Sequence, residues 1–322
     1  MYAALELLIR SVDYHTAGEP FRIVLEGAPE LQGGTVRERR LWVAEHADEV
    51  RRLLVQEPRG HADMYGCFVT PPDDAGADLG AVFFHNAGYS TACGHGTIAL
   101  VTWAIESGRV AAPREGLAEV TVDVPSGRLP TCAAVKDGDV TSVRFRNVPA
   151  FVTELAFEIG RFSVDIAYGG AFYAILPAAS AGLKVERRHL PQLIDLGRGL
   201  KQHLEAERDF RHPERPEIAG IYGVMFTEGS RNVTVFADGE VDRSPCGSGT
   251  SARLAALHAR GELGIGQEFS HESIVGSRFS ARIVEETAAG VITEVEGSAH
   301  LTGRHEFVLE PADEVGLGFL LR

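Results

Sequence analysis

The chain has 322 residues, of which 44% are hydrophobic and 24% are charged. This length and composition predict a globular protein with room for two domains, each with a sizeable core. The formal net charge of −14 disfavours nucleic acid and anionic membrane surfaces as partners, because both would be repelled, although a compact anionic substrate can still bind locally.

The first part of the chain alternates predicted strands and helices. Residues 7–25 are expected to form a strand, a polar turn and a second strand, because β-branched runs flank Gly and Pro. The charged segment 38–56, with periodic Leu and Val, predicts an amphipathic surface helix. Short strands are expected at 67–70 and 81–84. Residues 98–105 are apolar on all sides, which predicts a helix surrounded by protein.

The second part repeats this order. Residues 118–147 alternate in the manner of strands, with two turns that contain glycine. A surface helix is predicted over 186–208. Further elements follow in the same way, namely strands at 221–226 and 232–236, an apolar helix at 250–260 and more strands from about 268. The order therefore predicts two similarly built α/β halves, each with curved strands around a central helix.

One short pattern occurs twice, once in each half. Residues 93–97 read Cys-Gly-His-Gly-Thr, residues 246–250 read Cys-Gly-Ser-Gly-Thr, and an Ala/Leu-rich segment follows each. Each cysteine is therefore expected at a helix N-terminus, where free amides and the helix dipole favour anions. A thiol in that position should ionise more easily than a free cysteine, whose pKa is about 8.5. We expect both helix N-termini to face one cleft.

The sequence also predicts the domain boundaries, the cellular compartment and the state of the cysteines. The halves are expected to be 1–126 plus 300–322, with Cys93, and 127–299, with Cys246. The N-terminus lacks the apolar region of a signal peptide, and no apolar run approaches the ~20 residues of a spanning helix, so a cytoplasmic protein is expected. The four cysteines show no Cys-x-x-Cys spacing, which argues against zinc and for reduced thiols. Cys67 and Cys132 are interpreted as buried small apolar residues.

Two opposed thiols can invert an amino-acid Cα. One thiolate removes the Cα proton while the opposite thiol delivers a proton to the other face, without metal or cofactor. The pair must be asymmetric, because two thiolates facing one substrate would repel each other. Amides at the two helix N-termini can bind the substrate carboxylate and stabilise the carbanion. These amides belong to Gly94, His95, Gly247 and Ser248.

The two cysteine motifs, with Asp242-Arg243-Ser244-Pro245 before the second, resemble the proline racemase family. That family includes proline racemase, hydroxyproline 2-epimerase and trans-3-hydroxy-L-proline dehydratase. The resemblance implies a diaminopimelate-epimerase-like fold with two pseudo-symmetric halves, a homodimer, and proline or hydroxyproline as the small-molecule substrate. It also implies that His95 belongs to the carboxylate site and that Asp242 holds the substrate ammonium. His212 either lies on the surface or contacts a ring hydroxyl.

Several stretches resemble the dehydratase branch most, although dehydratases typically carry threonine where this chain has Cys246. These stretches are residues 15–20, 57–61, 63–66, 85–90, 167–172 and 242–245. Dehydration needs one base and loss of the neighbouring hydroxyl, whereas inversion needs a proton carrier on both faces. A threonine hydroxyl is too weak an acid and base for that role. We therefore rank a racemase or epimerase above a dehydratase.

Two hypotheses of another class remain open. A non-catalytic amino-acid binding protein would bind its ligand without exchanging the Cα proton with solvent. A redox sensor would form a reversible disulfide between Cys93 and Cys246.

Overall fold

The structure is a computed structural model that describes residues 7–321. Two compact units are present: the described residues up to Ser142 together with those from Ser298, and Val143–Gly297. The division expected from the sequence, 1–126 plus 300–322 against 127–299, stays a prediction. In the structure, residues 127–142 belong to the first unit. No helix within residues 7–321 is both long enough and apolar enough to span a membrane.

The first unit contains three helices and most of its chain in strands. The helices are α1 (Val36–His46), α2 (Asp48–Val55) and α3 (Gly94–Glu106). The strands are β1 (Leu7–Thr16), β2 (Glu19–Glu26), β3 (Tyr65–Thr70), β4 (Leu79–His85), β5 (Gly88–Tyr89), β6 (Gly116–Val124), β7 (Gly127–Lys136) and, after the second unit, β18 (Ala299–Leu309). Strand β8 (Asp139–Arg146) begins in this unit and ends in the other.

The second unit is built in the same way. Its helices are α4 (Leu190–Glu207) and α5 (Gly247–Ala259), with short 3-10 turns at Ala178–Ala181 and Arg187–His189. Its strands are β9 (Phe151–Ile159), β10 (Phe162–Tyr168), β11 (Phe172–Pro177), β12 (Ile221–Glu228), β13 (Arg231–Phe236), β14 (Glu240–Asp242), β15 (Phe269–Ser273), β16 (Arg278–Thr287) and β17 (Gly290–Gly297).

The order of strand pairing is the same in both units. In the first, β1 pairs antiparallel with β2, β2 parallel with β3, β3 antiparallel with β4, β4 parallel with β6, and β6 antiparallel with β7. In the second, the corresponding series is β10, β11, β12, β13, β15 and β16, with the same alternation of directions. Two equivalent chain segments therefore fold into the same supersecondary structure, as the repeat in the sequence predicted.

Each unit surrounds one helix with strands. Helix α3 contacts β1, β2, β7 and β18, and helix α5 contacts β9, β10, β11, β16 and β17. Almost every residue of α3 is buried, from Gly94 to Ile105. This helix is apolar on all sides because protein surrounds it, as predicted.

The predicted helix over 38–56 is two helices. It breaks at Ala47, which closes α1 and precedes α2 with φ −149° and ψ 32°. Thr35 and Glu38 form a capping box that fixes the start of α1. Both helices contribute to one core, in which Val43 and Leu54 are fully buried. The prediction of one continuous helix was wrong at this point.

Candidate active site

The first cysteine turn places a sulfur at the N-terminus of α3. Cys93 is the N-cap residue, and its Sγ accepts a hydrogen bond from the Gly96 amide at 3.2 Å. Its carbonyl accepts the Thr97 hydroxyl at 2.8 Å and the Thr97 amide at 2.9 Å. The turn thus directs a backbone donor at the sulfur, as expected for a cysteine that caps a helix.

His95 lies inside the same turn. Its ring is 3.5 Å from the Cys93 Sγ and meets the rings of Phe21 and Tyr65 edge-on, at centroid distances of 5.6 and 4.9 Å. The Thr16 hydroxyl donates to the His95 carbonyl at 2.9 Å. His95 is therefore a buried neighbour of the sulfur, and its predicted role at the substrate carboxylate stays a prediction.

The second cysteine turn has a different backbone. Cys246 precedes α5 with φ 66° and ψ 97°, a left-handed conformation that residues with a Cβ adopt rarely. Its amide donates to the Ser244 hydroxyl at 3.1 Å, and the Ser244 amide donates to Asp242 Oδ1 at 2.8 Å. This segment brings Asp242 beside Cys246, and the predicted role of Asp242 in holding the substrate ammonium stays a prediction.

The expectation that the Cys246 thiol ionises more easily than a free cysteine was wrong. Burial raises the pKa of this thiol, and the negative charge of Asp242 raises it further. The Tyr173 hydroxyl, the Gly249 amide and the Thr234 side chain act in the opposite direction but are outweighed. A helix N-terminus favours an anion only as far as the loss of solvation allows, and Cys246 is only 4% exposed. In the protein as it stands, Cys246 is a neutral thiol near pH 7.

Burial acts on Asp242 as well. It raises the pKa of this carboxyl, against smaller opposing contributions from Ser244 and Arg243. The Arg243 charge favours the ionised carboxylate, but its effect on the pKa is smaller than that of burial. A cation that bound beside Asp242 would stabilise the ionised form.

Steric crowding explains why the second position of each Gly-x-Gly motif is a glycine. A Cβ on Gly96 would lie 2.7 Å from the Cys93 sulfur and 2.4 Å from the Phe21 ring. A Cβ on Gly249 would lie 2.8 Å from the Cys246 sulfur and 2.6 Å from Met225. All four distances are too short for contact between heavy atoms, so the repeated Gly-x-Gly leaves room for the sulfur.

We expect Gly96→Ala and Gly249→Ala to displace the neighbouring sulfur and to destabilise the fold by about 1–3 kcal/mol, the usual effect of overpacking. Urea denaturation measures the stability, and alkylation followed by peptide mass spectrometry measures the access to each sulfur. Gly199→Ala in α4 is the matched control, because no heavy atom lies within 4 Å of its added Cβ. An unchanged alkylation rate in both turn variants would contradict the steric explanation.

Tyr173 was not identified from the sequence. It lies in β11, fully buried, with its hydroxyl 2.6 Å from the Ser248 hydroxyl and 3.6 Å from the Cys246 Sγ. The predicted substrate residue Ser248 therefore shares a hydroxyl pair with a residue 75 positions earlier. Nothing in the local pattern of an aromatic strand residue distinguishes this tyrosine from an ordinary core residue.

His212 lies apart from these contacts. It is 7% exposed, packs edge-on against Phe151 and Tyr168, and accepts the amides of Glu214 and Arg215 at Nδ1, each at 3.2 Å. Burial lowers its pKa, and the Arg215 charge lowers it further. The surface alternative for His212 was wrong, and contact with a ring hydroxyl stays a prediction.

The remaining cysteines lie in strands. Cys67 in β3 is fully buried, and burial raises the pKa of its thiol. Cys132 in β7 is half-buried. The interpretation as a buried apolar residue is confirmed for Cys67 and only partly for Cys132.

Comparison with known proteins places this geometry in a family. The family model described as proline racemase matches residues 11–320, nearly the whole chain. The chain belongs to the proline racemase family. Among curated members, the trans-3-hydroxy-L-proline dehydratase of Bacillus cereus is 43% identical over 97% of each chain. The 3-hydroxyproline 2-epimerase of Burkholderia multivorans is 44% identical over 98% of each chain.

Solved structures share the fold of this chain. A hydroxyproline epimerase from Agrobacterium vitis, solved with bound trans-4-hydroxy-L-proline, matches with a TM-score of 0.91 and 32% identity, over 98% of this chain and 96% of that one. A predicted epimerase from Pseudomonas aeruginosa, 16% identical with a TM-score of 0.60, shares the fold over 94% of this chain and all of its own. The expected diaminopimelate-epimerase-like α/β fold is thereby confirmed, and the chain is an enzyme of the proline racemase family.

Proposed function

We propose that this protein inverts the Cα of proline or a hydroxyproline by a two-base mechanism that uses Cys93 and Cys246. The observation that carries the proposal is the duplicated turn. In both units a cysteine sulfur lies at the N-terminus of a buried helix, over a glycine that leaves room for it. Both positions hold a thiol, a group able to accept and to deliver a proton near neutral pH.

The mechanism begins from an asymmetric pair of sulfurs. Burial and the charge of Asp242 keep Cys246 protonated in the free protein. Cys93, with the Gly96 amide directed at its sulfur, is then the base in the resting form. Cys93 removes the Cα proton of one enantiomer and Cys246 protonates the opposite face. After the product leaves, Cys93 is protonated and Cys246 is ionised. In the reverse direction Cys246 is the base and Cys93 is the acid.

The proposal assigns a binding group to each charged group of the substrate. Amides at the start of α3 and α5, from Gly94, His95, Gly247 and Ser248, bind the substrate carboxylate in this proposal, because a helix N-terminus favours an anion. Negative charge that develops at Cα spreads into that carboxylate, where the amides stabilise it. Asp242, buried beside the Cys246 turn, binds the ring ammonium. The inversion itself requires neither a metal nor a cofactor.

A second candidate is trans-3-hydroxy-L-proline dehydratase. It is favoured by the names of several relatives, including the 43% identical proteins from Bacillus cereus and Burkholderia cenocepacia. Dehydration requires one base at Cα and loss of the 3-hydroxyl. It therefore predicts that Cys246→Thr keeps activity, whereas the two-base inversion predicts that this variant loses it.

One experiment tests both candidates. The purified protein is incubated in heavy water with proline, trans-4-hydroxyproline and trans-3-hydroxyproline, and the products are followed by NMR. Inversion predicts deuterium at Cα and a second diastereomer or enantiomer. Dehydration predicts a cyclic imine that borohydride reduces to proline. If none of the three substrates exchanges its Cα proton and none yields a cyclic imine, both candidates fail and a binding protein is the better hypothesis. The homodimer and the cytoplasmic location stay predictions.

A further inference from the structure

A buried chain of polar side chains runs from the backbone of Cys246 to Arg253. The Cys246 carbonyl accepts the Thr250 hydroxyl and the Thr250 amide, each at 2.7 Å. The same hydroxyl lies 2.7 Å from His271 Nδ1, and His271 Nε2 lies 2.7 Å from Arg253 Nη1. Thr250 and His271 have no exposed surface and Arg253 is 6% exposed. Thr250 and His271 are therefore shielded from water and must find their hydrogen-bond partners within the protein.

The hydrogen-bond pattern fixes the proton positions in this network. Thr250 has one hydroxyl proton, which it donates to the Cys246 carbonyl, so its oxygen accepts from His271 Nδ1. His271 Nε2 then carries no proton and accepts from Arg253, which cannot act as an acceptor. Burial lowers the pKa of His271 well below its usual value, and the Arg253 charge lowers it further. His271 is thus neutral, with its proton on Nδ1.

Arg253 is itself anchored on several sides. Its Nη2 donates to the Gly229 carbonyl, and its guanidinium lies 5.1 Å from the centre of the Phe269 ring. Phe269 in turn packs against His271, with ring centroids 5.4 Å apart. The hydrogen bond to Gly229 and the contact with Phe269 hold the guanidinium beside His271. One end of the network is therefore rigid, and the other end is the backbone of the catalytic turn.

The two cysteine turns need different support. Thr97 binds the Cys93 carbonyl as Thr250 binds that of Cys246, but Cys93 has an extended backbone with φ −152°. Cys246 has φ 66°, a conformation that persists in a residue other than glycine only when its surroundings hold it. The Thr250 hydroxyl also lies 2.7 Å from a histidine ring nitrogen, whereas the hydrogen bond described for the Thr97 hydroxyl is the one to the Cys93 carbonyl. The additional members of the network occur at the strained turn.

We propose that Thr250, His271 and Arg253 form a positioning network that holds the Cys246 turn in its left-handed conformation and thereby sets the direction of the Cys246 sulfur. These residues do not touch the reacting atoms and act through the backbone of Cys246. The proposal rests on the proposed function in its kinetic part only. The orientation of the sulfur toward the Gly249 amide and the Tyr173 hydroxyl can be measured without any substrate.

The test compares Thr250→Val, which removes the hydroxyl at nearly constant volume, with Thr250→Ser, which keeps it. We expect Thr250→Val to lower kcat at least tenfold with KM within threefold of the original. We also expect it to slow alkylation of Cys246 by iodoacetamide at least threefold, with the Cys93 rate in the same chain as internal standard. Thr250→Ser should restore both quantities to within threefold.

A matched control separates positioning from stability. Thr131→Val in β7 removes another buried hydroxyl, which donates to the Val120 carbonyl at 2.6 Å. Its loss should lower the melting temperature without changing the ratio of Cys246 to Cys93 alkylation. If Thr250→Val behaves as Thr131→Val does in both kcat and alkylation ratio, the positioning role is wrong.

A second pair covers the case in which Thr250→Val does not fold. His271→Gln can present one donor and one acceptor in place of the two ring nitrogens, and His271→Leu can present neither. The first should keep the alkylation ratio of Cys246 to Cys93 within threefold, and the second should lower it at least threefold. Equal ratios in the two variants would overturn the proposal. Because alkylation needs no substrate, this result stands even if none of the prolines is turned over.

Discussion

Cys93→Ser and Cys246→Ser are each expected to lower Cα inversion by about 10²–10⁴-fold, the usual contribution of one general acid–base group. A serine hydroxyl keeps the size of the side chain approximately but is a far weaker acid than a thiol, so it cannot carry the proton for its face of the substrate. Because both directions of the reaction use both sulfurs, either substitution should impair both directions. Optical rotation and Cα deuterium exchange measure the loss.

Cys132→Ser is the matched control for these two variants. Cys132 is half-buried in β7 and precedes no helix, so its substitution should leave the rate within twofold. A Cys246→Ser protein that kept more than a tenth of the inversion rate would be incompatible with a two-base mechanism. A Cys93→Ser protein that kept more than a tenth of the inversion rate would show that Cys93 is not one of the two bases.

Asp242→Asn should reduce kcat/KM by at least about 30-fold, mainly through KM, because loss of one partner in a buried charge pair costs about 2–5 kcal/mol. Asparagine keeps an acceptor for the Ser244 amide, which now donates to Asp242 Oδ1 at 2.8 Å. The variant therefore removes the charge and preserves the turn. Asp238→Asn is the control, since that carboxylate is largely exposed and its ion pair with Arg198 lies on the surface.

Two further measurements distinguish loss of the charge from loss of the fold. The negative charge of Asp242 raises the pKa of Cys246, so Asp242→Asn should move the pH midpoint of Cys246 alkylation downward. Burial also raises the pKa of Asp242 above its unfolded value. Such a group favours the fold at low pH, and that contribution is lost as the pH rises through its folded pKa. Asparagine mimics the protonated form, so the variant should melt no lower than the original near pH 7. A higher alkylation midpoint would contradict the assigned electrostatic effect.

The fold was predictable where short-range patterns determine it. The strands around residues 7–25 and 118–147 and the buried helices after Cys93 and Cys246 all formed near their predicted positions. Their signals are apolar periodicity and turn residues, which depend on neighbours within a few positions. The break at Ala47 carries no such signal. It depends on how α1 and α2 both reach one core.

In the candidate site, too, local patterns were predictable and contacts between distant segments were not. The repeated cysteine motif identified the two helix N-termini, because the motif itself creates the turn. Tyr173 beside Ser248 and His271 beside Thr250 are separated from their partners by 75 and 21 positions in the chain. Such contacts arise when strands pair and pack on a helix, so local spacing does not contain them. The burial of His212 has the same origin.

The family, the two-unit repeat and the position of both thiols follow from residues close together along the chain. The ionisation of Cys246 and the contacts around its turn follow instead from the packing of distant segments. Those properties depend on solvation and on charges and hydrogen bonds from distant segments. Burial beside Asp242 reversed the prediction made from the helix N-terminus alone, because loss of hydration outweighs the attraction of the helix dipole for a thiolate.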